Sequence, residues 1–241
     1  AAIARIVAEA PAAQLELVIA DLYSLAEVRR AGAELRARHP RVDVLINNAG
    51  LIHKARELTV DGFERNFALN HLAAFLLTYE LREALAAAAP ARVVTVASFG
   101  HKLVRKFAIA DLPTLAWQGE TAMYGASKLC NIWFAREAAR RMAGTGVTSN
   151  SLHPGAVASN FGASGSWLMS LGMKLAWPFL ISPAKGARTS IYLASSPEVA
   201  GVTGEYFSRC KVRTPSKRAR ADGSAKELWE LSERLCGVRW P

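Results

Sequence analysis

The chain has 241 residues, about half of them hydrophobic, with six Trp and nine Phe. That length allows one large domain or two small ones, and that composition excludes a disordered chain. The formal net charge is +10, and six basic residues (Arg209, Lys211, Arg213, Lys217, Arg218 and Arg220) form a run without an acid. The run carries no interleaved aromatic residue, so nucleic acid is not an expected partner. A solvated Arg-rich face, or contact with an anionic cofactor or lipid headgroup, is the reading left.

Three cysteines, Cys130, Cys210 and Cys236, stand far apart without a CxxC pair. Such a sparse, odd set fits free thiols in a reducing compartment, and the cytoplasm is the expected location. No secretory leader pattern is visible. The most apolar window, Trp167 to Ile181, contains Lys174 and Pro178 and is short for a membrane span, though it suits contact with a membrane surface. The five histidines lack metal-ligand spacing, so no metal site is expected.

In chain order, Leu15 to Ile19 reads as a strand. A helix follows from about Ser24 to Arg38, with Ser24 as N-cap and Glu27 completing a capping box. Val42 to Ile46 is a second apolar strand. A long helix then carries Ala68, Leu72, Phe75, Leu76 and Tyr79 on one stripe. Val93 to Ala97 is a third strand, followed by a helix through Tyr124 and a strand near Val147 to Leu152. A helix over Pro183 to Ser195, a short strand at Glu205 to Phe207 and a helix over Ser224 to Leu235 complete the chain. Strands alternating with helices predict one α/β domain over residues 1–241, built on a doubly wound parallel sheet. Ligands of such sheets bind beyond the carboxyl ends of the strands. Asp21, Asn47 to Gly50, Ser98 and His153-Pro154-Gly155 all fall at such ends.

The stretch Tyr124-Gly-Ala-Ser-Lys128 carries the chemistry. An i, i+4 spacing on a helix puts the phenol and the ammonium on one face. A fixed positive charge favours the phenolate and lowers the pKa of Tyr124 toward neutrality. The phenol then suits proton exchange with the oxygen of an alcohol or carbonyl. No nucleophile motif of the GxSxG kind is present.

Together, Asp21-Leu22, Asn47-Asn48-Ala49-Gly50, Asn70, Ser98, Tyr124-x-x-Ser127-Lys128 and Pro154-Gly155 resemble the short-chain dehydrogenase/reductase family over nearly the whole chain. His101, His153 and Asn70-His71-Leu72 resemble its retinol-dehydrogenase-like branch. The resemblance implies a Rossmann-like fold and an NAD(P)-dependent oxidoreductase. Tyr124 would be the general acid or base, and Lys128 would lower its pKa and bind the nicotinamide ribose. Ser98 would hold the substrate oxygen. Asn70 would anchor a water linking Lys128 to solvent. Asp21, with Leu22, would face the adenine, and Asn48, Ala49 and Gly50 would pass the adenosine ribose. Pro154, Gly155 and Val157 would line the nicotinamide, with Ser159 near its carboxamide and phosphates. His101 and His153 are expected to be structural or substrate-lining.

The family's opening strand and Gly-rich phosphate turn are not in this sequence, which starts at Ala1. The expectation is a chain truncated by one strand-helix-strand unit, on the order of 40 residues. The Leu15 strand would then lack its neighbours, and the chain would fold poorly and bind dinucleotide weakly. The residues that separate NAD from NADP lie in that unit, while the basic balance and the branch resemblance favour NADP. The segment from Phe161 to Ile181 occupies the place of the family's substrate lid. Its Phe161, Trp167, Met169, Met173, Trp177 and Phe179 suit an apolar alcohol, aldehyde or ketone such as a retinoid, steroid or fatty aldehyde. These side chains could equally pack on the core or on a second copy in a homodimer. Two rival functions are a nucleotide-sensing or scaffold protein on the same truncated fold, and a membrane-surface or nucleic-acid binder using Arg209 to Arg220.

Overall fold

The computed structural model describes residues 2–53, 55, 57–104, 107–114, 119–157 and 181–240. Its first half contains α1 (Ala2–Glu9), α2 (Leu25–Arg38), β1 (Val44–Asn47), α3 (Arg65–Phe67), a π-helical turn (Ala68–Leu72), α4 (Ala73–Ala87) and β2 (Ala91–Val96). Then follow α5 (Glu120–Arg141), β3 (Val147–His153), α6 (Pro183–Ser195), β4 (Tyr206–Ser208), β5 (Lys211–Val212) and α7 (Asp222–Cys236). The strands form one sheet in the order β1-β2-β3-β4-β5. Pairing is parallel from β1 to β4 and antiparallel between β4 and β5.

Alternation along β2 separates two cores. Ala91 and Val93 join Leu72, Leu129 and Trp133 under α4, α5 and α7, while Val94 and Val96 join Leu152, Leu193 and Phe207 under α6. Both faces of the sheet are therefore covered, as a parallel sheet requires. The strand β3 is polar yet buried, and its polar atoms are put to use. Asn150 donates to Val202 O at 2.6 Å and accepts from Glu205 N at 3.0 Å, which pins the turn leading into β4.

The stretch expected as a first strand, Leu15 to Ile19, is not a strand. A strand exists through its ladder, and no described strand lies beside this stretch. It is tethered to α2 instead, by Arg30 to Ile19 O at 2.5 Å and by His39 to Glu16 at 3.0 Å. Leu17 and Ile19 stay exposed, at 64% and 76%.

Ser24 caps α2, accepting from Glu27 N at 3.4 Å. The reciprocal half of the expected capping box is not made. The Ser24 amide donates to Asp21 O, and Arg30 takes the Glu27 carboxylate. The helix expected to run unbroken through Asn70 contains the π turn, which adds a residue and rotates the helix beyond it. Within it His71 is buried, its Nε2 2.9 Å from Ser232 Oγ of α7, and burial pushes its pKa down to about 3. The β4–β5 hairpin extends the expected Glu205 to Phe207 strand. Its two turn residues, Arg209 and Cys210, have φ of 55° and 57°, the left-handed pair that a tight hairpin demands.

Helices α2 and α4 cross where Gly32 faces Glu80. A Cβ on Gly32 would lie 2.5 Å from Glu80 Cβ, so the helices can approach this closely only with glycine there. Gly32→Ala is expected to lower stability by about 1–3 kcal/mol through overpacking. Urea unfolding of the two proteins measures the difference.

Candidate active site

Strand β2 ends at Val96, and Ser98 then caps a tight turn over Phe99–Lys102, its Oγ accepting from Gly100 N at 3.1 Å. Tyr124 stands in the second turn of α5, and its hydroxyl hydrogen-bonds Ser98. Two glycines make the approach close. A Cβ on Gly100 would lie 3.3 Å from the Tyr124 ring, and one on Gly125 would lie 2.8 Å from Gly100 O. The helix thus rests against the turn through backbone, which fixes the phenol beside the serine.

One helical turn further, Lys128 is buried at 2% exposure. Its Nζ donates to Val96 O at 3.0 Å and lies 5.8 Å from the centroid of the Tyr124 ring. Asn131 Nδ2 donates to the same carbonyl at 3.1 Å. Asn70 Nδ2 donates to Leu51 O at 3.0 Å and to Ser127 Oγ at 2.8 Å, while Oδ1 accepts from Leu51 N at 2.9 Å. Ser127 Oγ in turn donates to Tyr124 O at 2.8 Å. Asn70 therefore ties the Asn47 to Gly50 turn to α5. It uses both amide donors to do so and keeps one acceptor position. Gly50 closes the arrangement, since a Cβ there would lie 2.9 Å from both Asn70 Oδ1 and Lys128 Nζ.

The electrostatics differ from the expectation. Burial pushes the Tyr124 phenol up to about 12, opposed by the hydrogen bond to Ser98. Burial alone pushes Lys128 down to about 8. The expected lowering of the tyrosine by the lysine is not what sets its pKa here, because the ammonium points at the Val96 carbonyl and the desolvation of the phenol dominates.

The other expected residues take separate places. Asp21 is exposed, and its carboxylate accepts from Tyr23 N at 2.9 Å, opening α2. Leu22 packs on the larger core. Asn48 and Ala49 are exposed beyond β1. Pro154, Gly155 and Val157 follow β3, with Gly155 at φ +101° and Val157 bridged to Ile181. A Cβ on Gly186 of α6 would lie 2.5 Å from Val157, so this segment is wedged against the start of that helix. Ser159 and the lid segment over 161–180 lie outside the described residues. Asn131 was not anticipated. A buried amide three residues after Lys128, on the same helix face, is the signal that marks it.

A dinucleotide fits this donor set. An ammonium has three donors, and among the described residues Lys128 uses one of them. The ammonium is buried beside Gly50, with Asn70 Oδ1 flanking the same space. No group of described residues could hold a metal ion, and no described helix is long and apolar enough to cross a membrane.

The family model for short chain dehydrogenase matches residues 1–166. Retinol dehydrogenase 14 of Mus musculus is 43% identical over 228 residues, covering 93% of this chain and 68% of its own length. A crystal structure of a Mycobacterium paratuberculosis protein is 30% identical with a TM-score of 0.75, covering 99% of this chain and 81% of its own. The Pseudomonas aeruginosa RhlG/NADP active-site complex is 26% identical with a TM-score of 0.60, covering 79% and 73%. The fold and the matched residues place the chain among α/β oxidoreductases acting on CH–OH groups. It belongs to the short-chain dehydrogenase family, in its retinol-dehydrogenase-like branch, and spans about two thirds of the curated relative's length.

The buried ammonium sets a stability test. With a folded pKa of about 8 against 10.5, the unfolded state binds more protons between those values, so this group makes stability rise with pH across that window. Lys128→Met leaves Val96 O bonded to Asn131. The variant is expected to be more stable at pH 7 by on the order of 2 kcal/mol, and the gap should close from pH 8 to 10.5. Denaturant titrations at several pH values read both effects.

Proposed function

We propose that this chain moves a hydride between a nicotinamide dinucleotide and the oxygen-bearing carbon of an apolar alcohol, aldehyde or ketone. The observation that carries the reading is the Tyr124–Ser98 hydrogen bond at the carboxyl end of β2, where ligands of such sheets bind. In reduction the Tyr124 hydroxyl passes its proton to the carbonyl oxygen, and in oxidation the phenolate takes it back. A phenol pushed up to about 12 holds its proton at neutral pH, so the resting site is charged for reduction. Ser98 Oγ hydrogen-bonds the same oxygen and steadies its developing charge. Asn70 ties Leu51 to Ser127, whose Oγ bonds the Tyr124 carbonyl.

When bound, the dinucleotide supplies or accepts the hydride. Lys128 has the donors to hold its nicotinamide ribose, and Gly50 leaves room for the Lys128 ammonium itself. Asn48 and Ala49 would lie along the adenosine ribose, with Asp21 and Leu22 toward the adenine. Pro154, Gly155 and Val157 would line the nicotinamide, and Ser159 its carboxamide and phosphates. NADP is favoured over NAD by the net charge of +10 and by the likeness to RhlG, which was solved with NADP. The relative named retinol dehydrogenase and the apolar residues of the segment over 161–180 favour a retinoid, steroid or fatty aldehyde. The three free thiols favour a reducing compartment.

With NADPH and a panel of long-chain aldehydes, Tyr124→Phe is expected to lower kcat by roughly 10²- to 10⁴-fold while NADPH binding stays within a few-fold of the parent. A variant that keeps the parent's kcat would remove Tyr124 from the chemistry.

A further inference from the structure

We propose that His101 is a positioning residue for Ser98, fastening the Ser98 turn to the basic strap that follows β5. The inference rests on the reading of Ser98 given above. His101 is buried at 2% exposure inside the turn that Ser98 caps. Its Nδ1 lies 2.6 Å from Ser98 O, and its Nε2 lies 3.1 Å from Ser216 N. A backbone carbonyl can only accept and a backbone amide can only donate. The ring is therefore neutral, with its proton on Nδ1 donating to Ser98 O and its Nε2 accepting from Ser216 N–H. Tyr206 of β4 closes edge-on over the imidazole at 5.2 Å.

The strap is itself anchored. Ser216 Oγ accepts from Ala219 N at 3.2 Å. The Arg218 guanidinium lies 3.9 Å from the Phe107 ring centroid and donates to Phe107 O at 2.8 Å. Trp133 Nε1 of α5 donates to Arg218 O at 3.0 Å. Part of the basic run that composition leaves without a task is thus built into the wall behind Ser98, through its backbone and the guanidinium of Arg218.

Protonation would undo the link. A second proton can go only to Nε2, where it would confront the Ser216 N–H. Three titratable groups act on the ring or pack against it: Lys102 on its own turn, His153 on β3 and Tyr206 on β4. Burial and Lys102 hold His101 below its usual range, against the raising effect of the Ser98 carbonyl.

The test uses the full chain, with imidazole nitrogen NMR, amide exchange and steady-state turnover of NADPH and an aldehyde. Expected are an Nδ1-protonated neutral ring and a titration below 6.5. His101→Leu should lower kcat roughly 10- to 100-fold by displacing Ser98, leave NADPH affinity unchanged and speed exchange of the Ser216 amide. His101→Gln offers one donor and one acceptor without titrating. It should recover most of the loss, and the fall of kcat in acid expected of the parent as His101 takes its second proton should be absent. An Nε2-protonated ring, unchanged Ser216 exchange in the Leu variant, or parent kcat in that variant would overturn the proposal. The tautomer and exchange readouts need no turnover, so they score the link even if Tyr124→Phe defeats the oxidoreductase reading.

Discussion

A buried ammonium is the constraint around which this site is organised. Taking a lysine out of water costs several kcal/mol unless its donors find acceptors, and Lys128 finds the Val96 carbonyl at the end of β2. The β1 ladder on β2 ends one residue earlier, at the Asn47–Thr95 pair. The residues around it are shaped by the same need. Gly50 is small because Lys128 Nζ and Asn70 Oδ1 fill the space a Cβ would take. Asn131 adds a second donor to Val96 O, on the carbonyl's other lone pair. Among the described residues the ammonium spends one of its three donors there, and that suits a group that has a ligand to bind.

Side chains, more than sheet hydrogen bonds, join the loops beyond the strands. Asn70 fastens the turn after β1 to α5, and His153 Nδ1 accepts from Phe99 N at 3.2 Å, joining the ends of β2 and β3. The Asn70 links are buried or half-buried, where hydrogen bonds are electrostatically stronger and an unpaired group is costly. The π turn explains how Asn70 reaches both Leu51 and Ser127. Regular helix would give one residue fewer before α4, and the amide would face elsewhere on the helix.

The sequence was legible where local pattern and burial agree. The strands at Val44–Asn47, Ala91–Val96 and Val147–His153, and the helices carrying Tyr124 and Arg188, stand within a few residues of the readings. The Tyr124–Ser98 meeting was legible through motif order. Legibility failed where the outcome depends on partners that pattern does not encode. Leu15 to Ile19 has strand chemistry but no described ladder beside it. Ser24 and Glu27 have capping-box spacing, yet Arg30 competes for the carboxylate. The i, i+4 spacing of Tyr124 and Lys128 puts them on one face, as read, but spacing says nothing of depth. Depth decides the sign of the tyrosine's shift, because desolvation raises a phenol while a nearby cation lowers it.

The hairpin at Arg209 and Cys210 shows the same competition at the level of backbone. Two non-glycine residues in the left-handed region cost roughly 1–2 kcal/mol each, and no residue type there relieves the strain. What holds the turn is its surroundings. Cys210 N donates to Thr189 Oγ1 of α6 at 3.3 Å, and Arg213 N donates to Tyr206 O at 2.8 Å. A wider loop would avoid the strain but would carry the following residues away from β4. The tight reversal keeps residues 213–216 beside Tyr206, and His101 packs against the Tyr206 ring. Ser98 is therefore held from two directions: by α5 through Tyr124 and by the reversed chain through His101. The strained turn is the element that makes the second of these geometrically available.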